Sequence, residues 1–164
     1  MILKNLHNSL LINVSLTFLI FILDRVSKIY VINLDKKLLG SEIFSSKYLN
    51  ISLIWNEGIA FGLLSFDQEN LYNFLTILII LIIFYIFLMI LKSDGLKKIS
   101  LIMILGGAMG NVFDRILYKA VPDFIDFHIG NLHWFIFNPA DIFITFGVIC
   151  LILDEFIFKN HRYD

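Results

Sequence analysis

The chain has 164 residues, 59% of them apolar and only 16% charged, against roughly 45–50% and about 25% in ordinary globular domains. With 17 Phe and a mean hydropathy of +0.83, it exposes too much apolar surface for a water-soluble monomer, so lipid is the expected solvent. A net charge of −1 with 13 Lys+Arg excludes a strongly basic nucleic-acid binder, and the single Cys150 excludes a disulfide framework or a Cys-rich metal site.

Four apolar stretches follow in chain order. The first runs from Leu10 to Leu23 and meets Asp24-Arg25. No small-x-small cleavage site follows it, so it reads as an uncleaved span rather than a secretory signal. The second, Asn70 to Leu91, is 22 residues without a charge, long enough to cross a hydrocarbon core of roughly 30 Å. The third, Ile99 to Phe113, carries Gly106, Gly107 and Gly110, which permit close helix packing. Its 15 uncharged residues reach about 22 Å as a helix, which would end the span at Asp114 below the headgroups. The fourth opens at Asn138-Pro139 and continues past Leu153 to Phe158. The expected organisation is a single membrane domain, 1–164, with spans at about 10–32, 70–91, 97–114 and 138–158. Its fold class is an all-α membrane protein, a four-transmembrane-helix bundle.

The outer segments are then about 33–69 and 115–137. Tyr48-Leu-Asn-Ile-Ser-Leu-Ile-Trp55 alternates and is β-rich, which predicts a small extracytoplasmic β-structured segment between helices 1 and 2. The short hairpin Lys92-Ser-Asp-Gly-Leu-Lys97-Lys98 is dense in Lys, which places it and both termini in the cytoplasm, although Lys36, Lys37, Lys47, Arg115 and Lys119 fall on the other side.

Asp24, Asp114, Asp123, Asp126 and Asp141 all belong at the outer ends of the spans. One carboxylate there reads as an interfacial cap. Five on one face, with Asn and Gly beside them, point to a functional cluster. Asn138 suits an N-cap, Pro139 the first helical position, and Asp141 the third, where helix amides favour a charged carboxylate. Asn111 and Asp114 share a helix face. Asp123 lies between Pro122 and Phe124, where apolar surroundings favour the neutral form. One carboxylate held charged and one pushed toward neutral is the pattern of an aspartyl dyad that shares a proton.

Other chemistries fit less well. Ser27 and Lys28 are adjacent and do not share a helix face. Cys150 lies mid-span among apolar residues and reads as a core thiol. His128 and His133 with Asp123 and Asp126 could bind a metal, but no His-Glu-x-x-His is present. Gly58 and Gly62 are too sparse for a phosphate loop, and Asp94-Gly95 lacks the downstream residues of a membrane phosphatidyltransferase.

Five blocks carry a family resemblance: Asp24-Arg-Val-Ser-Lys28, Asn56-Glu-Gly-Ile-Ala-Phe-Gly62, Gly106-Gly-Ala-Met-Gly-Asn-Val-Phe-Asp-Arg115, Val121-Pro-Asp-Phe-Ile-Asp126 and Phe137-Asn-Pro-Ala-Asp141. In order and spacing they resemble the lipoprotein signal peptidases (signal peptidase II) across essentially the whole chain. Pro122 and Pro139 are less usual but fall at variable places of their motifs. The resemblance implies an intramembrane aspartic endopeptidase of the bacterial inner membrane. Such an enzyme removes the signal peptide from diacylglyceryl-modified prolipoproteins, cutting before the lipidated Cys. It implies Asp123 and Asp141 as the catalytic pair. Asn111, Asp114, Arg115 and Asn138 match the polar shell around it, Asn56 the substrate-contacting outer segment, and Asp24 and Lys28 the block ending span one. No metal or other cofactor is expected. The expected partners are the prolipoprotein and membrane lipid, with no nucleic acid, and the chain is expected to act as a monomer with its active site toward the outer face. A small proton-coupled transporter would also keep carboxylates in its spans, but it would want them near mid-span. A non-catalytic scaffold gives no reason for the Asn/Asp cluster.

Overall fold

Stretches too long and too apolar for water form the helices of this computed structural model, which describes residues 2–58 and 69–158. Helix α1 spans Ile2–Lys37, α2 Glu69–Leu91, α3 Gly95–Tyr118 and α4 Pro139–Phe158. Three of them, α1 over Leu10–Lys37, α2 over Tyr72–Leu91 and α3, are long and apolar enough to cross a membrane. The fourth, α4, has 20 residues and includes Asp141, Asp154 and Glu155. The helices expose large apolar side chains such as Phe18, Phe84 and Phe146, as a lipid-facing surface does. Their inner faces meet in a core of Ile20, Ile90, Leu101, Ile102 and Leu105.

Two expected boundaries move. Helix α1 continues to Lys37 instead of stopping near 32, because Val31 and Ile32 are buried and the basic Lys36-Lys37 pair suits a helix C-terminus. It ends on Leu39 and Gly40, both at positive φ. Helix α3 does not end at Asp114. It runs one further turn to Tyr118, because Asp114 and Arg115 are partnered and buried rather than solvated.

The outer segments form one sheet. Strands β1 (Phe44–Ser45) and β2 (Leu49–Asn56) come from the α1–α2 connection, as the alternation predicted. The α3–α4 connection, expected as a loop over 115–137, instead folds as a hairpin of β3 (Val121–Ile129) and β4 (Leu132–Phe137). Gly130, at φ 59, occupies the turn between two β-rich runs. All pairings are antiparallel in the order β1-β2-β3-β4, and the β2–β3 pairing joins the two segments. It sets Ile54 opposite Asp123 and Asn56 opposite Val121.

Gly106, Gly107 and Gly110 let α3 approach its neighbours. A Cβ at Gly107 would lie 2.5 Å from the Ala140 carbonyl of α4, and one at Gly106 would lie 2.8 Å from Ile20 of α1. At Gly110 it would strike the Asp24 carboxylate.

Candidate active site

The site is built from the base of the helices upward. Asp24, Lys28 and Asp114 are fully buried and Arg25 is nearly so, at 7% exposure. Buried charges persist only when paired and hydrogen-bonded, and these four compensate one another. Arg25 grips Asp114 with both terminal nitrogens, Nη2 at 2.7 Å from Oδ2, and Nη2 also reaches Asp24 at 2.7 Å. The guanidinium lies over the Phe113 ring, 5.1 Å from its centroid. The Lys28 ammonium has three donor directions, and they meet Asp24 at 2.9 Å, Asp114 at 2.7 Å and the Asn111 oxygen at 2.8 Å.

This charged base is tied to α4. Oδ1 of Asp24 accepts the backbone N–H of Ala140 at 3.2 Å. The start of α4 caps itself: Oδ1 of Asn138 accepts the Asp141 N–H at 3.2 Å, while Oδ2 of Asp141 accepts the Asn138 N–H at 3.1 Å. That reciprocal pair is a capping box with Asn and Asp in its two roles. It satisfies two amide donors and fixes the Asp141 carboxylate in the first turn. Its second oxygen, Oδ1, accepts the Asn111 side-chain N–H at 2.8 Å.

Asp123 enters from the sheet and is 4% exposed. Its two oxygens accept side-chain amides, Asn138 Nδ2 at 2.6 Å and Asn56 Nδ2 at 2.9 Å. Asn138 therefore touches both carboxylates and holds them side by side. Burial first, and the neighbouring Asp141 charge second, push the Asp123 carboxyl up to about 6, although the Asn138 and Asn56 amides and the Lys28 charge pull the other way. A protonated carboxyl beside a charged one can donate while its neighbour accepts.

The family model described as signal peptidase (SPase) II matches residues 16–157. The chain belongs to the signal peptidase II family. Among its relatives, the lipoprotein signal peptidase of Pelagibacter ubique (strain HTCC1062) is 50% identical over 158 residues, 96% of this chain and 95% of that one. The lipoprotein signal peptidase of Anaplasma marginale (strain Florida) is 36% identical over 150 residues, 92% and 87% of the two chains. The fold is similar to that of a bacterial membrane enzyme solved by the in meso method at 2.3 Å resolution, with TM-score 0.68 and 29% identity over 90% of each chain. A second such enzyme, solved at 1.9 Å, gives TM-score 0.65 and 32% identity over 86% of this chain and 90% of that one.

As a signal peptidase II chain, the molecule brings the sequence-predicted residues Asp24, Lys28, Asn56, Asn111, Asp114, Asp123, Asn138 and Asp141 into one hydrogen-bonded network. Arg115 stands to one side: its Nη2 donates to the Gly58 carbonyl at 3.0 Å, just beyond β2, and its Nη1 to the Asn111 carbonyl at 3.3 Å. It braces the outer segment instead of meeting a carboxylate of the pair. Arg25 escaped the sequence reading. The available signal was a guanidinium at the end of an apolar span, which must find a buried carboxylate. Asp126 also departs from the dyad. It pairs with Nδ1 of His133 at 2.7 Å, and the His133 ring stacks on His128 with centroids 5.1 Å apart. Asp126, His128 and His133 each offer a ligand atom within 4.8 Å of the others. Asp123, named with them in the metal reading, faces Asn56 and Asn138 instead.

Proposed function

We propose that the chain is an intramembrane aspartic endopeptidase that removes the signal peptide from lipid-modified prolipoproteins, cutting before the lipidated Cys, with Asp123 and Asp141 as its catalytic pair. One observation carries the assignment of the pair: Asn138 hydrogen-bonds both carboxylates, which holds two acids together, Asp123 buried and Asp141 half-buried, in a family of peptidases. Asp141 accepts a proton from a water as that water attacks the scissile carbonyl. Asp123 gives its proton to the carbonyl oxygen, and the pair returns a proton to the departing amine. Asn56, Asn111 and Asn138 donate N–H groups, so they orient the carboxylates without competing for the shared proton.

All four helices cross the bilayer in this reading. Helices α1 and α3 end, and α2 and α4 begin, at the sheet, so the sheet and the pair lie together at one face. The Lys-rich turn between α2 and α3 lies at the other. That turn and both termini are cytoplasmic, and the site faces outward. Asn56, Asn111 and Asn138, which bond the pair, belong to one chain, and the chain works as a monomer in this reading.

Purified protein in detergent, incubated with a diacylglyceryl-modified prolipoprotein, should convert it to a faster-migrating product on a gel. A proton-coupled transporter or a scaffold would leave that substrate intact.

A further inference from the structure

Beside Asp141 lies a cavity of about 290 Å³ with an aromatic lining. Trp134, Phe135 and Phe137 of the hairpin contribute to it, as do Ile142 and Phe146 of α4. Asp141 itself is part of the lining. Trp134 and Phe146 remain 73% and 56% exposed, so the cavity opens at the surface of the molecule. Apart from Asp141, Thr145 supplies the polar side chain of the lining.

We infer that this cavity is the subsite for an acyl chain of the lipid-modified substrate. The inference rests on the peptidase reading above and extends it to the lipid half of the substrate. The thioether-linked lipid begins one residue from the bond that is cut. When that bond lies at Asp123 and Asp141, the start of the lipid lies within a few bonds of the pair, and this cavity adjoins Asp141 directly. Aromatic rings give an acyl chain close van der Waals contact in place of neighbouring lipid tails. An opening onto the lipid-facing surface lets it enter sideways without leaving the hydrocarbon. At about 290 Å³ the cavity is at the small end of ligand sites, which are roughly 300–1,000 Å³. It therefore takes the part of one chain nearest the glycerol, and the remainder lies in the bilayer. A second cavity, lined by Phe18, Ile80, Phe84 and Met109 among others, sits between α1 and α2. None of its lining residues bonds either carboxylate, so it does not adjoin the cut.

The test compares two substrates with the same peptide, one carrying dipalmitoylglyceryl and the other diacetylglyceryl, which lacks the chain carbons that would fill the cavity, with the full chain in a single detergent. Thr145→Phe fills the cavity and Phe146→Ala strips one wall. Each should lower the ratio of kcat/KM for the long-chain over the short-chain substrate, by about tenfold for the filled cavity. Phe84→Ala, in the other cavity, should leave the ratio where it was. Two results would overturn the inference. In one, the ratio is unchanged in both pocket variants, even with slower turnover of both substrates, which would mark the cavity as a site for a peptide side chain. In the other, the ratio moves only with Phe84→Ala. Failure of the unaltered protein to cut either substrate would instead remove the peptidase reading itself.

Discussion

Lys28 donates a 2.8 Å hydrogen bond to Oδ1 of Asn111, and that bond decides which end of the Asn111 amide faces Asp141. An ammonium has no acceptor, so only the amide oxygen can sit against it. The NH₂ end must then turn to the carboxylate. The same logic recurs twice: Asn138 turns its oxygen to the Asp141 backbone N–H and Asn56 to the Gly58 N–H, leaving both NH₂ groups for Asp123. Three amides are each pinned by a group that can only donate, and each presents a donor to the pair.

Asp123→Asn and Asp141→Asn should each abolish cleavage while the protein remains folded, because an amide can neither hold nor accept the proton the pair shares. At position 123 the new NH₂ would also face the NH₂ of Asn56 or Asn138, donor against donor. Turnover by either variant, at equal expression on a gel assay, would remove that residue from the pair.

Lys28→Met should lower both activity and melting temperature. It strips one cation from a buried, balanced set and leaves Asp24 and Asp114 sharing Arg25, a loss of about 3–5 kcal/mol for a broken buried pair. It also frees the Asn111 amide to turn. Asn111→Ala and Asp114→Ala should act in the same direction, at about 1–3 kcal/mol for each polar partner left unsatisfied. Thermal melts in detergent beside rates measure both effects. Wild-type values in all three variants would mean that the network does not support the pair.

The raised Asp123 carboxyl sets two pH dependences. Folding favours its protonated form, so its contribution to stability is fully present below the unfolded value of 3.8 and is lost as pH rises toward about 6. Within that window the wild type should lose stability with a slope of at most about 1.4 kcal/mol per pH unit, and Asp123→Asn should lack that component. Activity should be bell-shaped, with a basic limb in kcat/KM no earlier than about pH 6. A rate that climbs steadily through the basic range would sink the shared-proton mechanism.

Gly107→Ala should be more damaging than Gly106→Ala. The added methyl at 107 meets the Ala140 backbone carbonyl in the first turn of α4, which cannot rotate away, whereas at 106 it chiefly meets the Ile20 side chain. Forcing α3 from α4 should cost about 1–3 kcal/mol and pull Asp141 away from Asn111, lowering kcat as well as melting temperature. Equal effects of the two substitutions on activity would argue against such close positioning.

Activity should survive strong chelation and maleimide, since the proposed chemistry uses neither a metal nor a thiol nucleophile. Loss of cleavage on EDTA, restored by zinc, would move attention to Asp126, His128 and His133.

The sequence by itself determined the solvent, the apolar spans and the capped start of α4, because each rests on short-range physics. Asn70 to Leu91 cannot be placed in water, and Asn138, Pro139 and Asp141 cap a helix through neighbours three residues apart. The motif blocks also named Asp123 and Asp141, the two carboxylates that Asn138 bonds in the fold. The hairpin from Val121 to Phe137 has a local signal too, in its β-rich runs around Gly130. Only the tertiary structure decided what each charge meets. Arg25 and Asp114 are 89 residues apart in sequence, and Asn56 reaches Asp123 only because β2 pairs with β3. Likewise Asp126, alike in sequence to Asp123, turns to His133 across the β3–β4 pairing. The cost of a buried charge says that a partner must exist. Which partner it is depends on how closely the helices pack, and here the missing side chains of Gly106, Gly107 and Gly110 set that distance.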